Sequence, residues 1–157
     1  MDTSELRKQH DKILHQVDEI RDLIQSTNVG PIPNDIGQRL DILSTTLGHH
    51  LTLEDREYYP AFLKSGEEMV RTTAERFFVE MGHFRRVFSN FRDEWRWDRI
   101  LSANFKDFVS AAERVFSLLE TRIQRENDVL FPLWDSALGR TSSVGEDQSS
   151  LNRQASV

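Results

Sequence analysis

The sequence predicts an all-α protein folded as an antiparallel up-down-up-down four-helix bundle. Three observations carry that expectation. Apolar residues recur at three- and four-residue steps through four long segments, the period of one helix face. Short stretches rich in Gly, Pro, Asn or Ser separate the segments, and nothing reads as a strand. The chain also repeats itself. From Pro60 back to His50, and from Pro132 back to Arg122, two stretches superpose without a gap. His50 pairs with Arg122, Leu51 with Ile123, Glu54 with Glu126, Asp55 with Asn127, Tyr59 with Phe131 and Pro60 with Pro132. Such a repeat signals a duplicated supersecondary unit, here a helical hairpin used twice.

The first segment runs from about Thr3 to Thr27. Asp2, Thr3, Ser4 and Glu5 offer an N-terminal cap with an acid in the first turn. Leu6, His10, Ile13, Leu14, Val17, Ile20 and Ile24 share one face, so His10 points inward among apolar neighbours. His15 is turned about 140° from that face and is expected in solvent. Gly30, Pro31 and Pro33 end the segment.

The second segment begins at Asn34, a good N-cap, and continues to about Lys64. Its stripe is Ile36, Leu40, Leu43, Leu47, His50, Glu54, Tyr58 and Ala61, on which Glu54 is the anomaly. His49 lies off this stripe, and Tyr58 and Tyr59 read as packing residues. Pro60 is expected to end or kink the regular helix.

The third segment spans roughly Glu67 to Trp97. Phe77, Met81 or Glu80, Phe84, Val87 or Phe88, Phe91 and Trp95 make a broad aromatic face, on which His83 is expected to fall. The fourth segment, capped by Ser102, reaches about Ala137. Phe105, Phe108, Ala112, Val115, Phe116 and Leu119 lead on its stripe to Arg122 and Glu126, where apolar residues would be expected. The bundle therefore occupies residues 1–138. From Gly139 to Val157 the residues are small and polar without periodicity, the signature of a disordered tail.

Composition removes several classes of function. At 157 residues the chain suits one domain with a single core. A net charge of −6, without a clustered basic surface, argues against nucleic acid. No apolar run approaches a membrane span, and no signal peptide opens the chain. With no Cys there are no disulfides, thiolate metal sites or thiol nucleophiles, and a cytoplasmic location is the default.

The inward polar residues are His10, His50, Glu54, His83, Arg122 and Glu126. Two carboxylates in one apolar interior repel each other and lose hydration, so positive charge must answer them. Metal ions do this in bundles where carboxylates and imidazoles project from facing helices. His50 and Glu54, four residues apart, share one helix face.

In these features the sequence resembles the hemerythrin-like (HHE cation-binding) domains, which are four-helix bundles with a non-haem di-iron site. The resemblance covers about residues 5 to 135. The family pattern is a His on helix one, His-x-x-x-Glu before Tyr/Phe-Pro on helix two, a His on helix three and a second His-x-x-x-Glu on helix four. His10, His50 with Glu54, His83, and Glu126 with Phe131-Pro132 stand at those places. The resemblance implies that helices one and two feed one metal, helices three and four the other, and the two Glu bridge.

One position departs. The helix-four His is Arg122, whose guanidinium cannot ligate a metal. His10, His50, Glu54 and Glu126 still make a two-imidazole, two-carboxylate set suited to iron, with Mn or Zn also compatible. The second subsite keeps only His83 and the shared acids. One ion is therefore expected rather than two, with Arg122 paired to Glu126 or Glu54 in the remaining space. The resemblance implies binding or sensing of O2, NO or iron. The alternative is a metal-free bundle with a buried Glu–Arg–His network, acting as a regulatory or protein-interaction module. An enzyme is less supported: no Ser or Cys nucleophile sits in a recognisable motif, and no Gly-rich phosphate loop is present.

Overall fold

The computed structural model describes residues 1–26, 34–96 and 105–139, apart from the side chains at 34, 81 and 82. Helices α1 (Ser4–Ser26), α2 (Asn34–Leu53), α3 (Tyr59–Leu63), α4 (Glu68–Glu94) and α5 (Phe105–Arg125) are followed by α6, residues 131–139. Two single π-helical turns, Glu54–Tyr58 and Glu126–Leu130, join α2 to α3 and α5 to α6. The result is a four-helix bundle of α1, α2–α3, α4 and α5–α6. Among the described residues there is no strand, and no helix is long and apolar enough to cross a membrane.

Contacts between rods run in opposite chain directions, which makes neighbours antiparallel. On α1 and α2, Gln16 reaches Thr46 while Gln9 reaches His50. Arg92 of α4 pairs with Asp41, and Arg85 with Asp55 farther along the second rod. Arg21 of α1 bridges Glu113 and Glu120 of α5, whereas Thr3 bonds Asp135 at the far end of the same rod. Thr3 is fully buried, giving both its N–H and its hydroxyl to the Asp135 carboxylate at 3.1 and 2.7 Å. Asp2 accepts from the Ser4 N–H at 3.0 Å, so the first turn of α1 is capped from outside it.

The buried stripes are those of an apolar bundle. Leu6, Ile13, Val17 and Ile20 of α1, Leu40, Leu43 and Leu47 of α2, Phe77, Phe84 and Phe91 of α4 and Phe108 and Phe116 of α5 belong to one core, with Phe91 and Phe108 stacked at 6.3 Å. Each large apolar side chain removed from water contributes about 1.5–3 kcal/mol. Trp95 closes one end against Phe108, ring centroids 5.5 Å apart. Trp97, Ser102 and the expected tail beyond Gly139 lie outside the described residues.

Pro60 does not end its helix. The Tyr59 N–H bonds the Glu54 carbonyl five residues back, and the Phe131 N–H bonds the Glu126 carbonyl in the same way. In each copy a Pro follows at once. Proline lacks an N–H and its ring crowds the carbonyl four residues back. A widened turn before it gives that ring room and lets the rod continue. Both π turns open on the repeated Glu, so one backbone device places both buried carboxylates.

Candidate metal centre

His10 of α1, His50 of α2, and Glu54 and Glu126 of the two π turns converge in the bundle interior, all four buried. One potential ligand atom from each lies within 4.8 Å of the others. The histidine Nε2 atoms are 3.1 Å apart. His10 Nε2 lies 3.3 Å from Glu126 Oε2, and His50 Nε2 lies 3.6 Å from Glu54 Oε1.

The outer nitrogens of both rings are held by amides. His10 Nδ1 is 2.9 Å from Asn127 Oδ1, and His50 Nδ1 is 3.1 Å from Gln9 Oε1. An amide oxygen only accepts, so each Nδ1 carries a hydrogen and each ring turns its Nε2 inward. The two Nε2 atoms then face each other across 3.1 Å. Neither oxygen of Glu54 has a hydrogen-bond partner, and Glu126 Oε2 has His10 Nε2 near it at 3.3 Å.

Electrostatics separate the two acids. Burial, then the nearby Glu126, pushes the Glu54 carboxyl well above the usual range. Burial also raises Glu126, but the His10 ring and the Arg122 guanidinium outweigh it and leave this acid below its ordinary value. Burial and the neighbouring His10 depress His50 to about 3.

Arg122 is 7% exposed and reaches across the interior. Its Nη2 contacts Glu126 Oε1 and the Tyr59 hydroxyl, and its Nη1 donates to the Phe77 carbonyl at 2.9 Å. The Tyr59 hydroxyl donates to Glu126 Oε1 at 3.0 Å. Burial opposes the charge on Arg122, but Glu126, Tyr59 and Glu54 more than compensate and raise its pKa. Phe77 packs its ring 5.0 Å from the guanidinium.

His83 does not join the cluster. It is exposed, and its Nδ1 lies 3.3 Å from Arg86 on the outside of α4. The buried stripe of α4 is Val70, Ala74, Phe77, Phe84, Phe88, Phe91 and Trp95. One residue before Phe84, His83 is rotated by about 100° off it. The broad aromatic face expected from the sequence is narrower in the fold, and the second half supplies no imidazole. His15 and His49 are exposed, whereas Tyr58 and Tyr59 are buried.

Three participants escaped the sequence reading: Gln9, Asn127 and Tyr59. Gln9 and Asn127 sit beside a ligand in the chain, and no periodicity separates them from surface amides. Tyr59 stood in the repeat opposite Phe131, and that loss of a hydroxyl in the other copy was the available signal.

Ligand atoms bonded to one ion at about 2.1 Å stand about 3.0–3.5 Å apart in common geometries. The spacings of 3.1, 3.3 and 3.6 Å fall at or near that range. Inward Nε2 atoms, amides that hold the outer ring nitrogens, and a Glu54 carboxyl without donors fit a divalent cation. Fold and site together define a carboxylate–histidine cation-binding four-helix bundle. The chain belongs to the hemerythrin family: the hemerythrin HHE cation binding domain matches residues 1–134. No curated protein and no solved structure matches the chain significantly.

Proposed function

We propose that the protein holds one non-haem iron ion through His10, His50, Glu54 and Glu126 and uses it to bind or sense O2, NO or iron itself. The observation that carries this reading is the pair of Nε2 atoms 3.1 Å apart, each turned inward by an amide on its Nδ1. Two imidazoles with carboxylates suit ferrous iron, and the same set accepts Mn or Zn. When bound, the ion supplies an open coordination position for a diatomic ligand. Arg122 stands where the family pattern has its fourth histidine and gives its charge to Glu126. His83 faces away, so little remains to hold a second ion. Lack of Cys supports a cytoplasmic setting for this chemistry.

A metal-free interaction module is the second reading. It is favoured by the contact of Arg122 with Glu126, a built-in cation on one acid, while burial works against ionisation of the other, Glu54. Anaerobic reconstitution with ferrous iron, followed by elemental analysis, separates the two. One iron per chain is expected, with optical and paramagnetic-resonance changes on adding nitric oxide. Two irons with an oxo-bridged spectrum would refute the single-ion assignment, and no retained metal would favour the interaction module.

A further inference from the structure

A cleft of about 370 Å³ lies between α4 and α5, on the side of the interior away from His10 and His50. Val79, Phe84 and Leu118 form its apolar walls, and Arg122 and Arg125 also line it. Val79 and Leu118 are exposed on the two helices that form it. Glu80 pairs with Arg125 and lies 3.9 Å from Arg122. Arg122 is more than nine-tenths buried, yet its Nε–H has no hydrogen-bond partner. A guanidinium cannot shed that proton. A buried donor without an acceptor, in a residue lining an apolar cleft, is satisfied by an acceptor from outside the chain.

We propose that this cleft binds a small amphipathic carboxylate, its apolar body between Val79, Phe84 and Leu118 and its carboxylate on Arg122. The guanidinium and carboxylate match in geometry as well as charge. Glu80 and Glu126 already offset much of the local positive charge, which disfavours a dianion such as phosphate. The volume lies at the small end of small-molecule sites.

Calorimetric titration of the full chain with octanoate, 1-octanol and inorganic phosphate tests the site. Octanoate is expected to bind saturably, octanol about tenfold or more weakly, and phosphate not at all. Leu118→Trp, at an exposed position, fills the cleft and should abolish octanoate binding while leaving the helical circular dichroism unchanged. No saturable octanoate binding, equal affinity for octanol or phosphate, or unchanged binding in Leu118→Trp would overturn the proposal.

Discussion

The two hairpins share a backbone and differ in chemistry. Each carries a buried Glu at the start of a π turn, and each turn precedes an aromatic-Pro pair. The first hairpin contributes two imidazoles to the interior, whereas the second contributes Arg122 and turns His83 outward. Residues after the repeated acids diverge as well. Asp55 is exposed and pairs with Arg85 at 2.7 Å, while Asn127 turns in to hold His10 at 2.9 Å. The aromatics exchange halves: Tyr59 bonds the Glu of the second hairpin, and Phe131 stacks on the His of the first, centroids 5.4 Å apart. Duplication has kept the placement of two carboxylates, and the positive charge that answers them has become asymmetric. One side offers ligands for a cation, and the other has a cation built into the chain.

Removing each acid in turn is the strongest way to break that comparison. Glu126→Ala leaves Arg122 buried without its carboxylate, and such a loss costs about 3–5 kcal/mol. Glu54→Gln in the metal-free chain replaces a carboxyl whose ionisation burial opposes and whose oxygens have no donor, so stability should shift by less than about 1 kcal/mol. Urea denaturation of the metal-free variants at neutral pH reads both. Equal losses would mean that the two acids are equivalent and the asymmetry is absent.

Arg122→His places an imidazole one turn before Glu126 and asks whether the second half then holds an ion. With His83 exposed, the new imidazole would act with only the shared carboxylates, so iron content should stay near one per chain. Two irons would show that α4 turns to bring His83 inside. The amides are expected to matter less than the acids but measurably. Gln9→Ala and Asn127→Ala should each lower metal affinity about 10–100-fold by freeing a ring tautomer. Competition with a coloured chelator gives the ratio. Unchanged affinity in both would separate ring orientation from metal binding.

The sequence made the bundle legible because four stripes of the helical period leave little choice of partner faces. The same periodicity placed His10, His50, Glu54 and Glu126 inside, and the structure does bring them together. It misjudged His83 for a physical reason. An aromatic-rich helix presents more apolar surface than it buries, and Phe78 and Val79 stay exposed beside the true stripe. A residue one step from that stripe could be read either way. The π turns were invisible because Pro60 predicts a disturbance without saying whether the helix bends, stops or widens. Gln9 and Asn127 were invisible because their role is set by contacts across helices, not by spacing along one.

The smallest effect is a slope of stability with pH, and it divides the two acids once more. Glu54, raised above its ordinary value of 4.5 on folding, contributes stability below that pH and loses it as pH climbs towards its folded pKa. His50, depressed from 6.5 to about 3, acts oppositely: its contribution is complete above 6.5 and is lost as pH falls towards 3. Glu126, lowered on folding, is already fully favourable above its ordinary 4.5. Between 4.5 and 6.5 the Glu54 and His50 contributions oppose each other. Above 6.5 the His50 contribution is complete, so what remains of the Glu54 contribution sets the sign: the metal-free chain should lose stability with rising pH, by at most about 1.4 kcal/mol per unit. Glu54→Gln should flatten that slope. A bound divalent cation holds Glu54 ionised and competes with protons for the same atoms, so the metal-loaded chain should instead gain stability across this window. Thermal unfolding from pH 6.5 to 9, with and without ferrous iron, tests the sign. A metal-free slope that survives Glu54→Gln would place the titrating group elsewhere in the chain.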